Sequence, residues 1–76
     1  MRTKQLYPGI NNSQKICVIL NGVGIYTTVM QAQSIFLYTD HRAAVDVALD
    51  VLAQQRGAIT GYSSRYNGID FQVNLV

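Results

Sequence analysis

Two Asn-Gly dipeptides, Asn21-Gly22 and Asn67-Gly68, constrain this chain more than any other feature. A two-residue hairpin of type I′ needs positive φ at both central residues, which asparagine tolerates and glycine adopts without strain. Each dipeptide lies between runs of β-forming residues, 15–20 and 23–28 around the first, 58–66 and 69–76 around the second. A loop of two residues also sets the register. It pairs Leu20 with Val23 and Val18 with Ile25 in the first hairpin. In the second it pairs Tyr66 with Ile69, Ser64 with Phe71, Tyr62 with Val73 and Thr60 with Leu75.

The two hairpins differ in their faces. One side of the first carries Ile16, Val18, Leu20, Val23 and Ile25, and the other carries Cys17, Ile19, Gly24 and Tyr26. Both sides are largely apolar, so burial on both is expected. The second hairpin alternates cleanly. Its reverse side holds Ser63, Arg65, Asp70, Gln72 and Asn74, with Arg65 opposite Asp70, which describes one wet face. The turns resemble each other, Leu20-Asn-Gly-Val against Tyr66-Asn-Gly-Ile, but two separate uses of a favourable turn dipeptide explain that without a duplication.

Between the hairpins, Val45, Ala48, Leu49 and Leu52 recur at helical spacing and predict a helix over about 41–56. Asp40 is the expected N-cap, and Gly57 the expected left-handed residue after the last turn. Ala44, Val47 and Val51 add a second apolar stripe beside the first. A helix this apolar has neighbours on two sides, the second being another copy of the chain, or leaves Ala44 exposed and Val47 and Val51 at the rim of one sheet. Arg42 and Asp46, four apart, form at most a weak pair on a solvated face.

Residues 28–39 carry two periods at once. Thr28 and Gln31 have capping-box spacing, and Val29, Ala32 and Phe36 recur helically, yet Met30, Ala32, Phe36 and Tyr38 share a face with period two. The reading adopted is a strand over 34–38 after an irregular or short helical link. Residues 1–14 read as a flexible N-terminal arm, with Pro8-Gly9 as a turn and 11–14 too polar for a core. The expected architecture is therefore α+β: a small antiparallel sheet of about five strands with one helix on one face, formed by residues 15–76 as a single domain.

At 76 residues the chain buries a modest core, and Cys17, its only cysteine, allows no disulfide. One Cys and one His do not make a structural zinc site. Charged residues are 13% of the chain, against about 25% in a typical soluble domain. So few charges imply that a partner covers part of the surface. The net charge of +2 is too small to require a polyanion. Its distribution is uneven: Arg2, Lys4 and Lys15 are the only charges in 1–39, while 40–76 sets three arginines against four aspartates. Neither a signal peptide nor a spanning segment is expected, because polar residues follow the basic start and Asn21-Gly22 interrupts the most apolar run. A cytoplasmic protein with Cys17 as a free buried thiol follows.

No catalytic constellation, metal site or cofactor site is expected. His41 beside Asp40 is the only acid–base pair, no nucleophile can be placed near it, and neither Gly22-Val-Gly24 nor 57–61 has the strand–loop–helix frame and lysine of a phosphate loop. The helix covers one side of the sheet, and nothing else in the chain is apolar enough for the other side of the first hairpin. The expected function is a small non-catalytic interaction or regulatory module that self-associates as a homodimer or larger and binds a protein partner through its sheet. Cys17, Ile19, Tyr26, Val47 and Val51 are the candidate contact residues, and aspartate at Tyr26 or Ile19 is expected to break assembly. The alternative is a nucleic-acid accessory protein using Arg2, Lys4, Lys15 and Arg65, with salt-sensitive binding.

Overall fold

Both Asn-Gly dipeptides form the turns their chemistry requires. Asn21 and Gly22 have φ of 47° and 85°, and Asn67 and Gly68 have φ of 53° and 78°. In the computed structural model, which describes residues 6–76, these turns close β1 (Lys15–Leu20) onto β2 (Val23–Thr28) and β3 (Gly61–Tyr66) onto β4 (Ile69–Leu75). The registers are those the loop length dictates: Leu20 faces Val23, Val18 faces Ile25, Tyr66 faces Ile69 and Tyr62 faces Val73.

The described residues form a four-stranded antiparallel sheet, in the order β2-β1-β4-β3, and two helices, an α+β arrangement. The hairpins join through β1 and β4, with Val18 opposite Val73 and Leu20 opposite Phe71. This junction sets the most apolar side of each hairpin in one plane. Ile16, Val18, Phe71 and Val73 there are all buried. Asn21 fixes the same junction from the turn, since its N–H donates to the Asp70 carbonyl at 2.9 Å and its side-chain oxygen accepts from the Asp70 N–H at 3.0 Å.

The fifth strand expected over 34–38 is absent. Those residues lie in and after α1 (Val29–Phe36), a helix that begins directly at the end of β2. The helical period prevails because amides at the start of the helix find acceptors. Thr28 Oγ1 accepts from the Gln31 N–H at 3.2 Å, and the N–H groups of Val29 and Met30 donate to the carbonyls of Gln14 and Asn12, both at 3.0 Å. An amphipathic segment whose free amides find such partners gains more as a helix than as an additional edge strand. Val29, Ala32 and Phe36 are the buried side of α1.

The predicted central helix is α2 (Arg42–Gln55), with Val45, Ala48, Leu49 and Leu52 buried as its periodicity requires. Its ends each shift by one residue. His41, not Asp40, is the N-cap, and its side chain makes no capping bond. The chain turns earlier: Thr39 Oγ1 accepts from the His41 N–H at 3.3 Å, and the Thr39 carbonyl from the Arg42 N–H at 3.3 Å. Asp40 is left exposed. At the other end Arg56 takes the left-handed conformation (φ 49°), and Gly57 follows with φ 90°.

Residues 6–14 are not an arm beside the domain. Tyr7 and Ile10 belong to the core cluster. Pro8-Gly9 makes the expected turn, with Gly9 at φ 108° and the Ile10 N–H donating to the Tyr7 carbonyl at 3.1 Å. The polar stretch 11–14 packs by supplying acceptors to α1, so it needs no apolar side chains of its own. Residues 1–5 lie outside the described residues. No helix among the described residues is long and apolar enough to cross a membrane.

Candidate interaction surface

Both helices lie on the side of the sheet that holds Ile16, Val18, Phe71 and Val73, so the alternation of the strands dictates what remains bare. On the uncovered side stand Lys15, Cys17 and Ile19 from β1, Gly24 and Tyr26 from β2, Gln72 and Asn74 from β4, and Ser63 and Arg65 from β3. Period two alone puts them together. Near the β3–β4 end this face dips into an open groove of about 450 Å³, whose lining includes Ile19, Gln72, Arg65 and Asp70.

The face is graded from apolar to polar. Tyr26 is 78% exposed at the β2 end. Cys17, in register with Tyr26 on one side and Asn74 on the other, is a buried free thiol despite facing outward. Ile19 is half-buried. Farther across, Gln72 Nε2 donates to Asn74 Oδ1 at 3.0 Å. The Asn74 side chain lies close over β3 at Gly61, so a Cβ there would displace its amide oxygen. Arg65 Nε and Asp70 Oδ1 are 3.8 Å apart with both side chains largely in solvent, a pair of little energetic weight.

The predicted site residues separate into two surfaces. Cys17, Ile19 and Tyr26 share the bare sheet face. Val47 and Val51 lie on α2, on the other side of the sheet; Val47 is 52% exposed and Val51 is half-buried. The second neighbour that the double stripe of α2 called for is α1 of the same chain, against which α2 packs, and Ala44 is buried accordingly. Of the basic residues named for a nucleic-acid surface, Arg2 and Lys4 lie outside the described residues. Lys15 and Arg65 share the bare face but stand at opposite ends of it, Lys15 bonded through its carbonyl to the Val76 N–H and Arg65 opposite Asp70. His41 stands at the start of α2, on the helix side of the sheet, whereas Cys17 faces the other side, so the imidazole and the thiol are not brought together.

One polar cluster escaped the sequence reading. Tyr7 Oη donates to Asp46 Oδ1 at 2.5 Å, Gln33 Nε2 donates to the same carboxylate oxygen at 2.7 Å and to the Tyr7 oxygen, and Arg42 Nε lies 3.8 Å from Asp46 Oδ2. The cluster ties the N-terminal segment to both helices. Burial, reinforced by the Asp46 carboxylate, pushes the Tyr7 phenol well above its usual pKa. The folded chain thus keeps a proton that the unfolded chain releases near pH 10. This contribution is complete below about pH 10 and is lost as pH rises beyond it. Tyr7→Phe is expected to cost about 1–2 kcal/mol at pH 8, and its urea midpoint should fall less than that of the wild type between pH 9 and 11. Parallel declines would contradict this role for the phenol.

No protein-family model, curated protein or solved structure matches this chain.

Proposed function

We propose that the protein is a small non-catalytic interaction module that self-associates through its sheet and presents the assembled sheet to a protein partner. What supports this role is the one-sided cover of the sheet: both helices pack on one face, while the other leaves Tyr26 78% exposed beside Cys17 and Ile19. A sheet face with an apolar end is a surface that soluble chains ordinarily cover. The sparse charge, 13% of residues, points the same way. Cys17 as a free thiol fits a reducing compartment such as the cytoplasm.

The test is the solution mass by light scattering behind a sizing column, at two protein concentrations. A dimer or larger species is expected, falling to the 8.4 kDa monomer in Tyr26→Asp. A wild type that stays monomeric at both concentrations overturns the proposal.

A further inference from the structure

We propose that two copies of the chain join edge to edge along β2, antiparallel about a two-fold axis, so that their sheets become one. This rests on the self-association proposed above and adds where the copies meet.

The outer side of β2 offers unused ladder groups. In a two-residue hairpin the residues flanking the turn exchange both backbone bonds, and bonded pairs then alternate along the strands. Leu20–Val23, Val18–Ile25 and Ile16–Thr27 are therefore the pairs bonded across β1 and β2. The N–H and C=O groups of Gly24 and Tyr26 turn the other way. β2 ends the sheet, and among the described residues neither Gly24 nor Tyr26 has a backbone bond to a loop or cap on that side.

The two edges of the sheet are not equivalent. β3, at the far end, carries Arg65 with its side chain 73% exposed, the kind of charge that discourages pairing. β2 reads VGIYTT, with no charge and no proline. Val23, Tyr26 and, in the first turn of α1, Met30 are exposed at this edge, by 66%, 78% and 46%. An edge left in this state is a template for another strand.

The sequence of β2 selects a second copy of itself as that strand. With Ile25 on the two-fold axis, Gly24 falls opposite Tyr26 of the second copy, and Tyr26 opposite its Gly24. These are the outward-facing residues, so each such pair can exchange both bonds. The Tyr26 ring then lies over a glycine with no competing side chain, the cross-strand arrangement in which an aromatic shields glycine backbone. On the helix side Val23 meets Thr27 of the second copy. No like charges are brought together. An unrelated strand gains the backbone bonds but not this reciprocal fit. The result sets the two bare faces side by side as one wider docking surface.

The experiment measures the dimer dissociation constant of the full chain by sedimentation for wild type, Gly24→Pro and Ile19→Asp. Proline at position 24 removes an outward donor and leaves the β1–β2 bonds intact, a placement edge strands tolerate. It is expected to weaken the dimer by on the order of 100-fold. Ile19→Asp, which the sequence alone places among the contact residues, lies on β1, one strand in from the edge, so edge pairing instead leaves the dimer within a few-fold of wild type. Should Gly24→Pro fail to fold, amide exchange on the wild type decides. The Gly24 and Tyr26 amides should slow as concentration rises, and those of Ser63 and Arg65 should not. A wild type that is monomeric throughout overturns both proposals. A dimer that survives Gly24→Pro, or whose Gly24 and Tyr26 amides exchange at the same rate at every concentration, overturns the edge pairing alone and leaves self-association standing.

Discussion

Leu49→Ala is expected to lower the unfolding free energy by about 3 kcal/mol, the usual size for a leucine truncated where the site cannot collapse. Leu49 is fully buried at the middle of α2, in the cluster that also contains Ile16, Val18, Leu52 and Val73. Its neighbours belong to a sheet and a helix held by their own hydrogen bonds, so they cannot move in to fill the space. For a chain of this length, total stability is about 4–11 kcal/mol, so the loss is a large fraction of the whole. The thermal midpoint should fall by about 12–24 °C. Circular dichroism at one fixed protein concentration measures it, because the proposed self-association would make the midpoint concentration-dependent. Val47→Ala, on the exposed side of the same helix, is the control and should change stability by no more than about 0.5 kcal/mol. Equal effects at the two positions would mean that α2 does not face the sheet as described.

Gly9→Ala is the second large effect, and it tests the docking of the N-terminal segment. A Cβ at this position would stand 2.4 Å from the Ala53 carbonyl oxygen, a backbone atom near the end of α2, and the residue also sits at φ 108°. Neither the helix end nor the Pro8-Gly9 turn can yield cheaply. The expected loss is about 2–3 kcal/mol. Gly22 and Gly68 have positive φ too, but a Cβ there meets nothing within 4 Å. Alanine at either carries the left-handed strain alone, about 1–2 kcal/mol. Urea midpoints of the three variants separate the contributions. A Gly9→Ala protein no weaker than Gly22→Ala would place residues 6–14 away from α2. Loss of docking should also speed exchange of the Val29 and Met30 amides, whose acceptors are the Gln14 and Asn12 carbonyls.

Much of the bare face was legible because period two is a local property. Once the Asn-Gly turns are placed, Cys17, Ile19 and Tyr26 must share a side, and Arg65 must oppose Asp70. Val47 and Val51 lie instead on α2, whose second apolar stripe is read from the sequence without the short helix α1 that packs against it. Without α1, the second stripe of α2 had no neighbour within the chain. The Tyr7–Gln33–Asp46 cluster left no comparable trace. Its members are 26 and 13 residues apart, and a tyrosine in a polar leader gives no sign of where it docks. The Pro8-Gly9 turn was the one local hint that the leader is shaped.

Local chemistry alone sets both hairpins with their registers, and α2 with its buried stripe. Turn chemistry and side-chain periodicity act between residues a few positions apart, so no distant contact is needed to decide them. The remaining choices rest on long-range contacts. Residues 29–36 satisfy both the helical and the strand period, and carbonyls from Asn12 and Gln14 settle the choice by capping a helix. The junction of β1 with β4 has no turn to set its register. It follows from burying Ile16, Val18, Phe71 and Val73 under one helical layer, which only the assembled chain can do.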